Sequence, residues 1–175
     1  MIITISGKAG SGKSTLAKGL AKKLNLNHYS IGDLMRQLAK EKNISLAELS
    51  KLAEKNKSID KDLDKKQIEL KKQDNFVIDG RLTAFFIPNA DLKVFLDCDD
   101  QERAKRILKD ERTDEPSMDL NEITEKIKQR EQSERKRYKE IYNIDYSNKE
   151  LYDLVVDTTN LSISEVIAKI MKAVK

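Results

Sequence analysis

The chain has 175 residues, 38% hydrophobic and 37% charged, and its 34 basic and 30 acidic side chains leave a net charge of +4. That length supports one soluble globular domain with a core of its own. No apolar run approaches the roughly 18 residues of a membrane span, one cysteine excludes an internal disulfide, and intermixed charges with 5% aromatic residues carry no nucleic-acid signature.

Ile2, Ile3 and Ile5 form a β-branched run suited to a buried strand, and Leu16, Ala17, Leu20, Ala21 and Leu24 recur at helical spacing. The N-terminus enters this strand without the basic-then-apolar layout of a signal peptide, so a cytoplasmic protein is expected. Between strand and helix lies Gly7-Lys8-Ala9-Gly10-Ser11-Gly12-Lys13-Ser14, which fits the phosphate-loop pattern G-x-x-x-x-G-K-[ST] in its strand-then-helix setting. The glycines let successive N–H groups turn inward, and the helix starting near Lys13 adds its unpaired N–H groups and positive dipole end. Lys13 is expected to reach the β and γ phosphates of a triphosphate, Ser14 to ligate Mg2+, and Thr15 to face the α phosphate.

His28 to Ile31 reads as a brief strand ending at Gly32-Asp33, with His28 a surface or packing residue. Leu34 to Lys42 then reads as a helix. Ser45 and Glu48 form a capping box opening a second helix with Leu46, Leu49, Leu52 and Ala53 on one face. Ile59, Leu63 and Leu70 stripe a third, very polar helix running to Lys72. Segment 34–73 is therefore expected to be a helical insert outside the central core. Phe76 to Gly80 and Leu92 to Asp97 are the next strands, with Cys98 a small buried residue beyond the second. Arg103 to Glu111 is a charged helix, and Arg112 to Ser117 is loop.

Asp119 caps a long helix whose apolar stripe, Leu120, Ile123 and Ile127, continues onto Arg130, Glu134 and Arg137 before returning to Ile141. Charges on an inward stripe need partners or a cleft, so this helix should run from core into a polar site. Leu154 to Asp157 is the last strand, and Ser162 with Glu165 caps the last helix. Strands separated by helices imply parallel βαβ units with ligands at the strands' carboxyl ends. No uncovered apolar stripe remains, so a monomer is expected.

Those carboxyl ends carry Asp33 and Arg36, then Asp79 and Arg81, then Asp97 and Asp99. Two arginines near a bound triphosphate suggest a second anion, since guanidinium forks clamp phosphate bidentately. Asp79 suits an outer ligand of Mg2+, reached through water.

At this point the residues resemble a family. The phosphate loop, Tyr29-Ser30-Ile31-Gly32-Asp33-Leu34-Met35-Arg36, Asp79-Gly80-Arg81-Leu82, the stretch from Arg130 to Tyr138 and the stretch from Tyr152 to Thr158 look like the archaeal-type cytidylate kinases, within the nucleoside monophosphate kinases. The resemblance implies a P-loop NTPase-type α/β fold: a parallel five-stranded sheet flanked by helices, with a core of 1–33, 74–109 and 120–175. It makes 34–73 the monophosphate-binding insert and about 110–119 a short lid. The implied reaction passes the γ-phosphoryl of ATP, with Mg2+, to CMP and also dCMP.

By the same resemblance Arg36 and Arg81 hold the acceptor phosphate. Arg130, Arg137 and Glu134 close on the acceptor and the transferring group, while Asp33 steers the acceptor phosphate or the metal's water shell. Arg106 and Arg112 contact ATP from the lid side, and Asp64 and Gln67 are candidates for reading the base. The rival readings are another small acceptor, namely AMP, UMP, dephospho-coenzyme A or a nucleoside, and, from a different class, an ATP-dependent switch or RNA-associated module.

Overall fold

The structure, a computed structural model, describes residues 1–109 and 119–174. Arg112 and all of the expected lid except Asp119 lie outside them. Five parallel strands, β1 (Ile2–Gly7), β2 (Asn27–Ser30), β3 (Phe76–Asp79), β4 (Leu92–Asp97) and β5 (Leu154–Asp157), form one sheet in the order β2-β3-β1-β4-β5. The chain leaves the central β1 on one side to build β2 and β3, then crosses to β4 on the other. This puts a topological switch point at the carboxyl end of β1, where open α/β sheets bind their ligands.

Strand alternation divides the core between the two faces. Ile3, Ile5, Val77, Val94, Leu96 and Val156 face one way and pack with Leu16, Ala17 and Leu20 of α1 (Lys13–Leu24) and with Val166 and Ile170 of α8 (Ile163–Ala173). Ile2, Phe76, Ile78 and Phe95 face the other way and pack on Leu82, Phe86, Ile87 and Tyr146. Both faces are apolar because both are covered, as parallel sheets require. Each such side chain gains about 1.5–3 kcal/mol on burial.

Three helices separate β2 from β3: α2 (Ile31–Glu41), α3 (Leu46–Lys55) and α4 (Ser58–Leu70). They share a small core of Met35, Ala39, Leu49, Ala53, Ile59 and Leu63. The Ser45–Glu48 capping box is present, as are those of Ser162–Glu165 and Asp119–Glu122. α2 begins three residues before the expected Leu34, because Ser30 is its N-cap and accepts from the Asp33 N–H. Ile31, expected in the strand, is the first helical residue.

The remaining helices are α5 (Thr83–Phe86), α6 (Asp100–Lys109) and α7 (Leu120–Tyr142). α5 was not expected, having a single turn and no periodicity to reveal it. α6 starts before the expected Arg103, because the Asp99 carboxylate accepts from the N–H groups of Gln101 and Glu102. Ala104 of α6 and Ile123 and Ile127 of α7 join these two helices. Cys98 is buried, as expected. Among the described residues no helix is long and apolar enough to cross a membrane.

Candidate active site

The phosphate loop leaves β1 at Gly7, whose φ of 146° and 2.5 Å approach of a notional Cβ to the Leu96 carbonyl oxygen exclude a side chain. Gly10, with φ of 75°, packs on Arg103, where a Cβ would come within 2.6 Å of the carbonyl oxygen. Arg103 is fully buried on α6 and donates to the Ala9 carbonyl at 3.0 Å, with Glu131 of α7 and Asp100 completing its partners. The loop thus rests on a buried ionic strut. Lys8 and Ala9 are half-buried on its outer turn, Ser11 is buried beneath it and Thr15 is exposed on the first turn of α1.

Lys13, the first residue of α1, is buried, and its Nζ donates to the Lys8 carbonyl at 2.6 Å. Burial and then the Arg81 charge push its pKa well below the ordinary lysine value, against the opposing pull of Asp79 and Glu134. An anion bound beside it would offset that cost of burial.

One residue along, Ser14 Oγ donates to Asp79 Oδ2 at 2.8 Å. Asp79 ends β3 beside Ser30 of β2, whose hydroxyl also donates to Oδ2, at 3.1 Å, and His28 Nε2 lies 2.8 Å from Oδ1. Among the described residues no group of three or more His, Cys, Asp or Glu could cage a metal ion. A hydroxyl and a carboxylate are instead the hard oxygen donors that suit Mg2+ completed by waters and substrate phosphates.

The charged stripe of α7 turns inward here. Glu134 is buried and accepts from Arg81 Nε at 2.8 Å and from Arg130 Nε, on its own helix, at 3.0 Å. Arg81 also donates to the Gly7 carbonyl at 3.1 Å, which ties the cluster to the phosphate loop. Burial alone would raise the Glu134 pKa, but Arg81 and then Arg130 overcome it and hold the carboxyl at about 2. Burial likewise opposes the Arg81 charge, and Glu134 more than offsets that, leaving the guanidinium above its ordinary value.

Arg137 lies two turns on from Arg130 and faces the insert. It donates to the Ser50 carbonyl of α3 at 2.9 Å, and its Nε is 3.1 Å from Asp60 of α4, a charge contact lacking hydrogen-bond alignment. On the same α4 face Asp64 accepts from Tyr142, and Gln67 is buried with its Oε1 unpartnered. Burial, against the pull of the Tyr142 hydrogen bond, raises the Asp64 pKa to about 6.

Lys13, Ser14, Asp79, Arg81, Arg130 and Glu134 are therefore brought together. Arg36 and Arg137 form ion pairs outside this cluster, and Arg106 lies beside Gly12 of the phosphate loop. Arg36 pairs along its own helix with Asp33 at 2.5 Å. Arg106 reaches back to Thr158, donating to its carbonyl at 2.7 Å, and its Nη1 lies 4.0 Å from where a Cβ on Gly12 would stand. Arg103, Ser30 and His28 were not expected near the loop. The pattern Ser30-x-x-Asp33 signals the helix cap, whereas nothing local places His28 beside Asp79 or Arg103 beneath the loop, since Asp79 and Ala9 lie 51 and 94 residues away from them.

A phosphate loop at the switch point of an all-parallel sheet, with a buried lysine and an arginine cluster facing it, defines the P-loop small-molecule kinases. Solved structures of that fold superpose over nearly the whole chain. Shikimate kinase from Bacteroides thetaiotaomicron matches with a TM-score of 0.67 at 16% identity, covering 99% of this chain and 97% of that one. An uncharacterised protein from Eubacterium ventriosum matches at 0.70 and 20% identity, covering 99% and 98%. More specifically, the chain belongs to the cytidylate kinase-like family, whose profile matches residues 2–160. It is 43% identical to a cytidylate kinase of Methanosphaera stadtmanae across 100% of this chain and 98% of that protein. Against one of Methanocaldococcus jannaschii it is 41% identical, across 99% and 97%.

Proposed function

We propose that the protein is a cytidylate kinase that transfers the γ-phosphoryl group of ATP to CMP, and to dCMP, giving ADP and CDP or dCDP. The observation that carries this reading is the convergence of Arg81 and Arg130 on one buried carboxylate, Glu134, with Arg81 tied to the Gly7 carbonyl of the phosphate loop that buries Lys13. Three cations against two local carboxylates, Asp79 and Glu134, make a cleft suited to two phosphate-bearing substrates. Family membership supports the identity of the acceptor.

Transfer needs little proton chemistry, because the acceptor phosphate is already an anion at neutral pH. Its oxygen attacks the γ phosphorus as the bond to the β–γ bridging oxygen breaks, and ADP leaves with that electron pair. The loop N–H groups and Lys13 hold the β and γ phosphates. Arg81 and Arg130, oriented by Glu134, neutralise charge on the acceptor and the group in flight, and Arg137 and Arg36 draw in the acceptor from the insert side. Ser14 and Asp79 would hold Mg2+, which when bound supplies charge neutralisation at the phosphates. Asp64 and Gln67 offer an acceptor oxygen and an amide to the cytosine edge, with Gln67 already buried and incompletely bonded. Asp33 steers the acceptor, and Arg106 and Arg112 serve the ATP side. The protein acts as a cytoplasmic monomer on small nucleotides.

The test is ADP release with ATP, Mg2+ and a panel of CMP, dCMP, UMP, AMP, GMP, dephospho-coenzyme A and shikimate, with a no-acceptor control. The proposal requires CMP and dCMP to lead by about tenfold or more, roughly 1.4 kcal/mol of transition-state preference. A different leading acceptor, or equal ADP release without one, would refute it.

A further inference from the structure

Asp79 holds more partners than a metal-facing carboxylate needs. Its side chain is 2% exposed, and both oxygens are engaged from within the protein: Oδ2 by the hydroxyls of Ser14 and Ser30, Oδ1 by His28 Nε2 at 2.8 Å. The two β2 donors follow from strand geometry. His28 and Ser30 are two residues apart, so their side chains project from the same face of the strand. β2 pairs with β3 in the register His28 with Val77 and Ser30 with Asp79, which sets His28 diagonal to the carboxylate on that face. The imidazole is half-buried, at 16% exposure, and only its distal nitrogen reaches Asp79.

We infer that His28 is a positioning residue for the Mg2+ site: by fixing Asp79 Oδ1 it turns Oδ2 toward Ser14 and the phosphate loop, so that the oxygen offered to the metal's water shell is already in place. The inference rests on the reading of Ser14 and Asp79 as the Mg2+ residues. A carboxylate at a strand end can rotate about its last bond, and without the His28 N–H its buried Oδ1 would lack a partner and would turn to find one. Ser30 cannot substitute, because it sits on the other oxygen and also caps α2 through the Asp33 N–H. Donors that hold a metal-binding side chain in orientation are commonly worth about 10–100-fold in metal affinity.

The experiment measures binding of ATP by calorimetry in Mg2+ and in EDTA, for wild type, His28→Leu and His28→Gln. The Gln amide nitrogen lies about where Nε2 does, so it keeps the donor, whereas Leu keeps the bulk alone. Expected are a roughly tenfold loss of affinity in Mg2+ for His28→Leu, affinity within twofold of wild type in EDTA, and recovery to within about threefold in His28→Gln. The Mg2+ concentration for half-maximal binding should rise in parallel. An equal loss with and without Mg2+, an unchanged Mg2+ dependence, or a His28→Gln protein as impaired as His28→Leu would overturn the proposal. If wild-type binding proves indifferent to Mg2+, the metal assignment itself falls, a result distinguishable from failure of the His28 role alone. Should the leucine variant not fold, His28→Asn, whose donor falls short of Nε2, carries the same arm.

Discussion

Arg81 Nε lies 2.8 Å from Glu134 Oε2, joining the end of β3 to the middle of α7 across 53 residues of sequence. Both side chains are largely sheltered, at 13% and 5% exposure, and Arg130 shares the same carboxylate. Removing the carboxylate strands buried positive charge, a change that costs about 3–5 kcal/mol. Glu134→Ala should therefore lower the melting temperature by about 10 °C, at roughly 2–4 °C per kcal/mol for this size. Arg81→Lys keeps the charge but loses the two-pronged grip. It should lower kcat about 100-fold or more, the scale of a charge-stabilising group, with a far smaller stability change. Melting scans beside steady-state kinetics check both; equal stability losses in the two variants would contradict the assigned roles.

The same carboxylate predicts an acid limb of stability. The folded pKa of Glu134 is about 2 against an ordinary value of 4.5. Between those values the unfolded chain binds the proton and the native one does not, so stability is fully present above about pH 4.5 and declines as pH falls toward 2. The full effect is on the order of 3 kcal/mol from a shift of this size. Asp64 has the opposite sign: its pKa is raised to about 6 from 3.8 by burial, so its contribution weakens as pH rises through that window. Urea midpoints from pH 3 to 7 should show the acid limb flattened in Glu134→Gln, and the rise-with-acidity component removed in Asp64→Asn.

Lys13→Ala separates function from folding. The ammonium is buried and held well below its ordinary pKa, first by desolvation and then by Arg81, so the native state gains nothing from its charge. Turnover should vanish while the melting temperature stays the same or rises. Wild-type activity in this variant would defeat the phosphate-loop assignment.

Gly10→Ala asks whether the loop depends on its backing. The substitution brings a Cβ within 2.6 Å of the Arg103 carbonyl oxygen at a φ of 75°, so the loop must shift and carry strain of about 1–3 kcal/mol. Arg103→Met attacks the same contact from α6 by removing the donor to Ala9. Each variant should weaken ATP binding at least tenfold, measured by calorimetry, although the Arg103 side chain is turned to the back of the loop. Retained affinity in both would show that the loop holds its shape unaided.

Local chemistry made much of the protein legible. The phosphate loop was plain because backbone curvature and anion binding demand glycines, a lysine and a hydroxyl at set intervals. The five strands followed from short β-branched and apolar runs and the amphipathic helices from 3.6-residue spacing, and the Ser45 and Ser162 capping boxes and the Asp119 cap marked helix starts. The inward charges of α7 could be read from a stripe that stays in phase as it turns from Ile127 to Glu134 and Arg137, both now found buried.

What only the tertiary structure decided was which of those charges meet. Arg130 and Arg137 share a helix face, yet one turns to Glu134 and Arg81 and the other to Asp60 and Ser50 of the insert. Arg36 reads like Arg81, as an arginine just past a strand, yet it pairs with Asp33 beside it. Arg103 under the loop and His28 behind Asp79 were invisible for the same reason. Strand order and register bring together side chains that lie far apart in the chain, and pairing across such distances is a property of packing with no local signature.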